Sequence, residues 1–257
     1  MNESKDQILS GGNMNAPTLN NQLIYKEATL ASNTVHNLLQ HVRAKGIDWV
    51  PESFGVNAEG KHVLSYLEGE VPHDTPDWLW EETILCDIAK RLRLWHDATL
   101  DFNYTEAKWL LENDEVNEVI CHIDFAPYNC VFQNKKFVGL IDFDVCAPGS
   151  RLWDIAYTAY RFVPLMPVGN IEVYKEVSPF TKEVLQARLQ RFLESYGGND
   201  HEFLYDQATV IHKVEKRLRA LANWSRDYGV KTNNNEMIVH AQMYDLHADW
   251  VKILITD

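Results

Sequence analysis

The spacing of apolar and polar residues changes along the chain, from strand-like segments at the front to helix-like segments at the back. QLIYKE (22–27) is a short β-rich run bounded by polar residues, as strands are. ESFGVNAEGKHVLSYLEG (52–69) has the form of a hairpin. Between them, SNTVHNLLQHVRAKG (32–46) places apolar residues from Val35 to Val42 one helical turn apart. The front is therefore predicted to be a small antiparallel sheet with one helix.

Helical periodicity dominates the chain beyond residue 76. The segment YLEGEVPHDTPDW (66–78) breaks the earlier pattern with glycine and prolines, which is typical of a linker. The predicted helical segments that follow are 77–100, 151–163, 182–198, 208–229 and 235–254. We therefore predict an α+β fold of two parts, residues 1–70 and residues 71–257, with a two-stranded insertion inside the helical part.

The composition is that of an acidic globular protein. The net charge is −13, and most of it lies in residues 71–257, so a basic surface for nucleic acid is disfavoured. The acidic field suits a cationic small molecule, or it serves solubility alone. No apolar run approaches the roughly 18 residues that span a bilayer, and MNESKDQILSGGN lacks an apolar signal core. The four cysteines form no C-x-x-C pair, which indicates reduced thiols in a cytoplasmic protein.

Four polar side chains flank a predicted hairpin in the middle of the chain. CVF, QNKK and FVGLIDF read as two strands around a turn. Folding them together brings Asp124 and Asn129, before the first strand, near Asp142 and Asp144, after the second. Carboxylates that share a site need a cation or a shared proton. Hard oxygen ligands of this kind favour magnesium, which also binds phosphate oxygens.

Each of these residues has an ordinary structural interpretation when it is taken alone. Asp and Asn are common in turns because their side chains bond to nearby backbone groups. His122 alone is more often a structural histidine than a functional one. The four oxygen-bearing positions together, with a hairpin between them, favour a functional site.

The motif and its surroundings resemble a known family. CHIDFAPYN (121–129) resembles the H-G-D-x-x-x-x-N loop of the aminoglycoside phosphotransferase and choline kinase group, which shares the protein-kinase fold. LIDFDVCAPGSRLWDIAY (140–157) resembles that group's metal loop and the helix after it. The resemblance is specific over residues 119–164 and weaker over residues 8–70, where the chain is similar to small bacterial members. It implies a two-lobed kinase-like fold, with nucleotide binding in residues 1–70 and catalysis in residues 71–257.

The resemblance implies a role for each motif residue. Asp124 is expected to be the catalytic base for the acceptor hydroxyl, and His122 to support its loop. Asn129 and Asp142 are expected to hold Mg²⁺ against the nucleotide phosphates. Asp144 is expected as a third residue of the metal site, where it binds the metal, supports the metal loop or faces substrate. Asp154, on the following helix, is expected to be structural.

The front part is expected to bind the nucleotide. Ser10, Gly11 and Gly12 are candidates for the turn that covers the phosphates, although SGGN alone is an ordinary loop sequence. Lys26 is the candidate for the strand lysine that pairs with the phosphates; a surface lysine is the alternative. Tyr66 and Glu68 are expected at the hinge, where backbone groups bind the base, so both ATP and GTP are admitted.

One feature departs from the kinase pattern. Protein kinases hold the strand lysine with a helix Glu, but residues 28–47 contain no Asp or Glu. Either Asp48 or Glu52 reaches Lys26, or the lysine is oriented differently.

The acceptor and the activity leave alternatives open. Aromatic and acidic residues on the late helices either contact a cationic acceptor or form core and solvated faces; they are Trp224, Tyr228, Tyr244, Trp250, Glu215, Asp227, Asp245 and Asp249. The leading hypothesis is a Mg²⁺-dependent phosphotransferase that uses ATP or GTP and a small hydroxyl compound. The alternatives are a non-catalytic nucleotide-binding or immunity protein on the same fold, and a pure interaction protein. Nothing in the sequence indicates an oligomeric state.

Overall fold

The computed structural model describes residues 7–8, 17–72, 74–111, 116–198 and 205–255, with only the backbone of Ile8 described. The chain packs into two compact units. The first contains residues 1–76 and 94–150, and the second contains residues 77–93 and 151–257, so one boundary falls inside a helix. The assignment of nucleotide binding to residues 1–70 and of catalysis to residues 71–257 stays a prediction.

The first unit contains an antiparallel sheet of five strands in the order β1-β2-β3-β5-β4. The strands are β1 (Gln7–Ile8), β2 (Thr18–Asn20), β3 (Leu23–Glu27), β4 (Ser53–Val56) and β5 (Lys61–Ser65). Asn21 and Gln22 join β2 to β3 with φ of 50° and 64°, the left-handed pair that a tight hairpin turn requires. In the register of β3 and β5, Lys26 lies opposite His62.

Helix α1 (Ser32–Ala44) packs in the same unit, as the sequence predicts. The exposed fractions of Val35, Leu38, Leu39 and Val42 are 0–1%, so the apolar stripe is the buried face. Gly46, with φ of 88°, lies just beyond the end of the helix. The prediction of a front part with a small antiparallel sheet and one helix is confirmed.

The predicted hairpin is also present in the first unit. Strands β7 (Cys130–Gln133) and β8 (Lys136–Leu140) pair antiparallel around Asn134 and Lys135, which have φ of 49° and 63°. Before and after the hairpin, β6 (Val119–Cys121) pairs with β9 (Ala147–Gly149). The indole nitrogen of Trp95 donates to the Ile120 carbonyl oxygen at 2.8 Å. The loops that connect these strands carry the motif residues.

Gly69 allows the segment after β5 to lie against β7. Its φ is 150°, and a Cβ atom added there would be 2.6 Å from the Phe132 carbonyl oxygen. Glu70, next in the chain, exchanges two backbone hydrogen bonds with Phe132, at 2.8 and 2.9 Å. The segment assigned to a linker is therefore anchored to the hairpin by backbone contacts.

We expect Gly69→Ala to lower the free energy of unfolding by about 2–3 kcal/mol, because backbone must move and the new residue is strained. Gly60→Ala is the matched control: its φ is 77°, but no atom lies within 4 Å of the added Cβ. Strain alone predicts a loss of about 1 kcal/mol there. Urea unfolding of both variants checks the difference, and equal losses would contradict the close approach at Gly69.

The second unit is helical. Its helices include α3 (Arg151–Phe162), α4 (Ile171–Tyr174), α5 (Lys182–Gly197), α6 (Gln207–Thr232) and α7 (Asn235–Val251), while α2 (Glu82–Thr99) crosses the boundary between the units. The Arg217 guanidinium of α6 lies over the rings of Trp153 and Tyr157 of α3, at 5.0 and 5.1 Å. Among the described residues, no helix is both long enough and apolar enough to cross a membrane.

Candidate active site

Asp124 is clamped by two side chains from its own loop. The Tyr128 hydroxyl donates to Asp124 Oδ1 at 2.6 Å, and Asn129 Nδ2 donates to Oδ2 and to the Asp124 carbonyl oxygen, both at 2.9 Å. The short 3-10 turn Pro127–Asn129 places both partners. The carboxylate is half-buried, so the hydrogen bonds orient a group that solvent can still reach. The part played by Tyr128 was not predicted from the sequence.

His122 joins this loop to the loop after β8. Its ring is buried, and Nε2 donates to the Ile141 carbonyl oxygen at 3.1 Å. The ring packs edge-on against Phe143, with centroids 4.9 Å apart. Ile141 in turn donates its backbone N–H to the Asn129 carbonyl oxygen at 2.9 Å. The stretch around Asp124 and Asn129 and the stretch before Asp142 are therefore held together.

Two residues of these loops have left-handed backbone. Ile123 has φ of 72°, and Asp142 has φ of 63°. A left-handed residue other than glycine costs about 1–3 kcal/mol, least for Asp and Asn and most for a β-branched residue. Ile123 stands at the Gly position of the H-G-D-x-x-x-x-N motif that the sequence resembles, and as a β-branched residue it is strained in this conformation. The surrounding contacts hold this backbone in place next to Asp124.

Lys26 of β3 lies between the two later carboxylates. Its Nζ is 2.6 Å from Asp144 Oδ2 and 3.3 Å from Asp142 Oδ1. Burial of Lys26 opposes its charge, but the attraction of Asp142 and Asp144 outweighs burial and raises the pKa of Lys26. The lysine is thus charged at neutral pH and oriented toward the metal loop. Of the two alternatives from the sequence, the different orientation is the one observed.

A chain of three polar side chains connects α1 to the sheet. His36 Nδ1 of α1 and His62 Nε2 of β5 each lie 2.9 Å from Ser53 Oγ of β4. His62 is fully buried, and its pKa is lowered to about 4 by burial and by the nearby charges of Lys26 and His36. The helix therefore meets the sheet through polar side chains and not through a carboxylate.

The buried, neutral His62 predicts that the protein loses stability in mild acid. The pKa of His62 in the folded protein lies below the unfolded value near 6.5, so protonation of His62 favours the unfolded state. The contribution of neutral His62 to the free energy of unfolding is therefore full above pH 6.5 and is lost as the pH falls toward 4. From pH 7 to pH 5 the loss is about 2 kcal/mol. We expect His62→Gln to lack this part of the pH dependence in urea unfolding. A variant with the slope of the wild type would contradict the assignment.

The hinge residues are held by backbone contacts. Tyr66 donates its backbone N–H to the Gln22 carbonyl oxygen at 2.8 Å. The Glu68 carbonyl oxygen accepts from Gln133 Nε2 at 2.8 Å. Gly139 of β8 leaves room for Leu67, whose Cδ1 would be 2.5 Å from an added Cβ. The role of Tyr66 and Glu68 in binding a base stays a prediction, and Ser10, Gly11 and Gly12 lie outside the described residues.

The acidic residues expected near an acceptor are largely engaged by cations. Asp245 binds both Arg219 and Arg226, and Asp249 binds Arg219. Glu215 lies 3.3 Å from Lys252. These contacts fit the interpretation as a solvated face.

Trp224, in contrast, is 46% exposed and stacks on Tyr228 with centroids 5.3 Å apart, so this aromatic pair is accessible in the second unit. Asp154 is fully buried in α3.

Residues 61–174 match the phosphotransferase enzyme family known as APH, and the match includes every motif residue from His122 to Asp144. This segment, a little under half of the chain, is similar to the domain of that family. The choline/ethanolamine kinase family protein of Mesorhizobium loti is similar in structure, with a TM-score of 0.65, 12% identity and coverage of 98% of this chain and 88% of that one. Spectinomycin phosphotransferase, solved with ADP and spectinomycin, gives a TM-score of 0.57 at 13% identity and covers 98% and 92%. The predicted kinase-like α+β fold is confirmed.

A curated relative of this chain has a different description. The trifolitoxin immunity protein of Rhizobium leguminosarum bv. trifolii is 35% identical over 151 residues. The match covers 56% of this chain and 57% of that protein, so it spans little more than half the length of either. The immunity alternative from the sequence thus has a named counterpart among the relatives.

The donor set of the candidate site fits magnesium. In the described ranges, no three His, Cys, Asp or Glu side chains gather as a metal cluster. The site instead offers the Asp142 carboxylate, which is 48% exposed, and the Asn129 amide, whose Nδ2 is committed to Asp124 and whose Oδ1 is the remaining acceptor. In nucleotide sites, Mg²⁺ is usually bound by only a few protein oxygens, and phosphate and water oxygens fill its other coordination positions.

Proposed function

We propose that this protein is a Mg²⁺-dependent O-phosphotransferase that moves the γ-phosphate of ATP or GTP to a hydroxyl group of a small molecule. The observation that carries the proposal is the clamped Asp124 on a loop tied to the loop of Asp142, with Lys26 of β3 at the same loop. The family match and the kinase-like fold support the same reaction class.

Asp124 has the geometry of a general base. Tyr128 and Asn129 each bind one carboxylate oxygen, so the side chain is fixed while each oxygen keeps a further lone pair. A substrate hydroxyl that donates to Asp124 would be oriented for attack on phosphorus, and its proton would pass to the carboxylate. The hydroxyl oxygen then bonds to the γ-phosphorus as the bond to the nucleoside diphosphate breaks.

Positive charge would complete the site. Lys26 brings a buried ammonium to the loop where Asp142 and Asn129 would hold Mg²⁺, which neutralises phosphate oxygens when bound. The experiment is a screen of hydroxyl compounds, including cationic alcohols, sugars and aminoglycosides, with Mg²⁺ and ATP or GTP. Phosphate transfer to one class is the expected result. If phosphate is transferred to no compound faster than in a buffer control, the proposed activity is wrong.

The immunity relative favours a second candidate function. On this alternative, the protein binds nucleotide and protects against a toxin without turnover. Thermal unfolding with ATP and Mg²⁺ separates the two: stabilisation with no phosphate transfer to any acceptor favours the second candidate. If protection against the toxin instead requires Asp124, the immunity depends on phosphate transfer.

A further inference from the structure

No acidic side chain of helix α1 holds Lys26 in its position. The helix carries no Asp or Glu, and its face toward the sheet ends in the contact of His36 with Ser53. The charged partners of Lys26 lie more than a hundred residues further along the chain, in residues 141–146 between β8 and β9. The loop that carries Asp142 therefore also determines where the lysine lies.

The two carboxylates of this loop are not equivalent. Asp144 Oδ2 is 2.6 Å from Lys26 Nζ and its side chain is 21% exposed, whereas Asp142 Oδ1 is 3.3 Å away and its side chain is 48% exposed. The second oxygen of Asp144 is buried, with no hydrogen-bond partner among the residues that the structure describes. A hydrated ion can approach Asp142 from solvent, but Asp144 faces the lysine and the interior.

Lys26 is shielded together with Asp144. The lysine side chain is 15% exposed, so the ion pair lies largely out of water and is screened less than a surface pair. On the neighbouring strand, His62 lies opposite Lys26 and is neutral at physiological pH, so it contributes no countercharge. Both Asp142 and Asp144 attract the ammonium, and the contact with Asp144 is the shorter and the less exposed of the two.

We propose that Asp144 is the positioning residue of Lys26 and performs the task of the absent helix carboxylate, while Asp142 and Asn129 are left to the metal. The inference rests on the proposed function, because it concerns the lysine that pairs with nucleotide phosphates. It replaces the expectation that Asp144 is itself a metal ligand. It also implies that one loop aligns the metal ligand and the lysine, with no requirement for a shift of α1.

The pairing is tested first without nucleotide or metal, by thermal unfolding of Asp144→Asn, Lys26→Met and the double variant. Asp144→Asn should lower Tm by about 2–4 °C when Lys26 is present. In the Lys26→Met background it should leave Tm unchanged or raise it, because two neighbouring carboxylates repel. Equal losses in both backgrounds would overturn the pairing. Asp87→Asn, which removes an exposed pair with Arg91, controls for loss of one surface charge.

The positioning role is tested by calorimetric binding of ATP and of adenosine, each with Mg²⁺. Asp144→Asn and Lys26→Met should each weaken ATP binding about tenfold and leave adenosine binding unchanged. The double variant should be no weaker than Lys26→Met. Additive losses, with a further fall in Mg²⁺ affinity on the Lys26→Met background, would make Asp144 a metal ligand and overturn the inference. A wild type that binds no nucleotide, with the unfolding coupling intact, would refute the proposed function and not the pairing.

Discussion

Asp124→Asn is expected to lower kcat for phosphate transfer by about a thousandfold, within the range for loss of a general base. Asn keeps the size of the side chain and one oxygen for the Tyr128 hydroxyl, but it cannot take the proton of the acceptor. Because Asp124 is half-buried on a loop anchored elsewhere by His122, the variant should fold. Initial rates with saturating ATP and Mg²⁺ give the comparison.

The control for this prediction is Tyr128→Phe. It removes the hydroxyl that orients Asp124 Oδ1 and leaves the carboxylate in place, so we expect a loss of only about tenfold. If Asp124→Asn and Tyr128→Phe lose the same small factor, orientation and not proton transfer is the function of this loop. An Asp124→Asn enzyme with the rate of the wild type would remove Asp124 from the chemistry.

Asp142→Asn is expected to raise the Mg²⁺ concentration needed for half-maximal ATP binding by on the order of a hundredfold, since loss of a direct ligand exceeds the loss of an outer partner. Asn is chosen because the residue at this position has φ of 63°, a conformation that Asn tolerates and Ala does not. The side chain is 48% exposed, so stability should change little.

Titration of Mg²⁺ at fixed ATP, followed by calorimetry, measures this effect. Asp144→Asn supplies the matched control, because it removes one carboxylate from the same loop. The account predicts a large change in metal dependence for Asp142→Asn and a small one for Asp144→Asn. The reverse order would contradict the division of tasks between the two residues.

Local patterns were sufficient for the elements of the fold. The stripe from Val35 to Val42 predicted α1 because burial of one helix face leaves a periodic trace in the sequence. The QNKK turn between two β-rich runs predicted the hairpin of β7 and β8 for a similar local reason. The proximity of the motif loops followed from that hairpin, because pairing two strands brings their outer ends together.

Contacts between distant segments were not predicted. The partner of Lys26 is separated from it by more than a hundred residues, and no local pattern connects the two. The absence of acidic residues in α1 signalled that the lysine differs from the kinase pattern, but not where its partner lies. The contacts of His62 and His36 with Ser53, and of Gln133 with Glu68, have the same origin in tertiary packing.

The acceptor was not predicted from the sequence, because the motif residues alone do not define a pocket for it. Small-molecule sites are recognised from the shape and chemistry of a pocket, and the exposed pair of Trp224 and Tyr228 is a surface feature of the second unit only. The two named classes of relative, phosphotransferases and an immunity protein, are compatible with different acceptors.

The most direct test of the account is mass spectrometry of a bacterial cell extract incubated with the protein, Mg²⁺ and ATP labelled with ¹⁸O in the γ-phosphate. We expect one hydroxyl compound to gain a labelled phosphate with the wild type and not with Asp124→Asn. If no compound is labelled above the level seen with Asp124→Asn, in extracts that support a known kinase added as a positive control, this chain does not transfer phosphate to a compound of the extract.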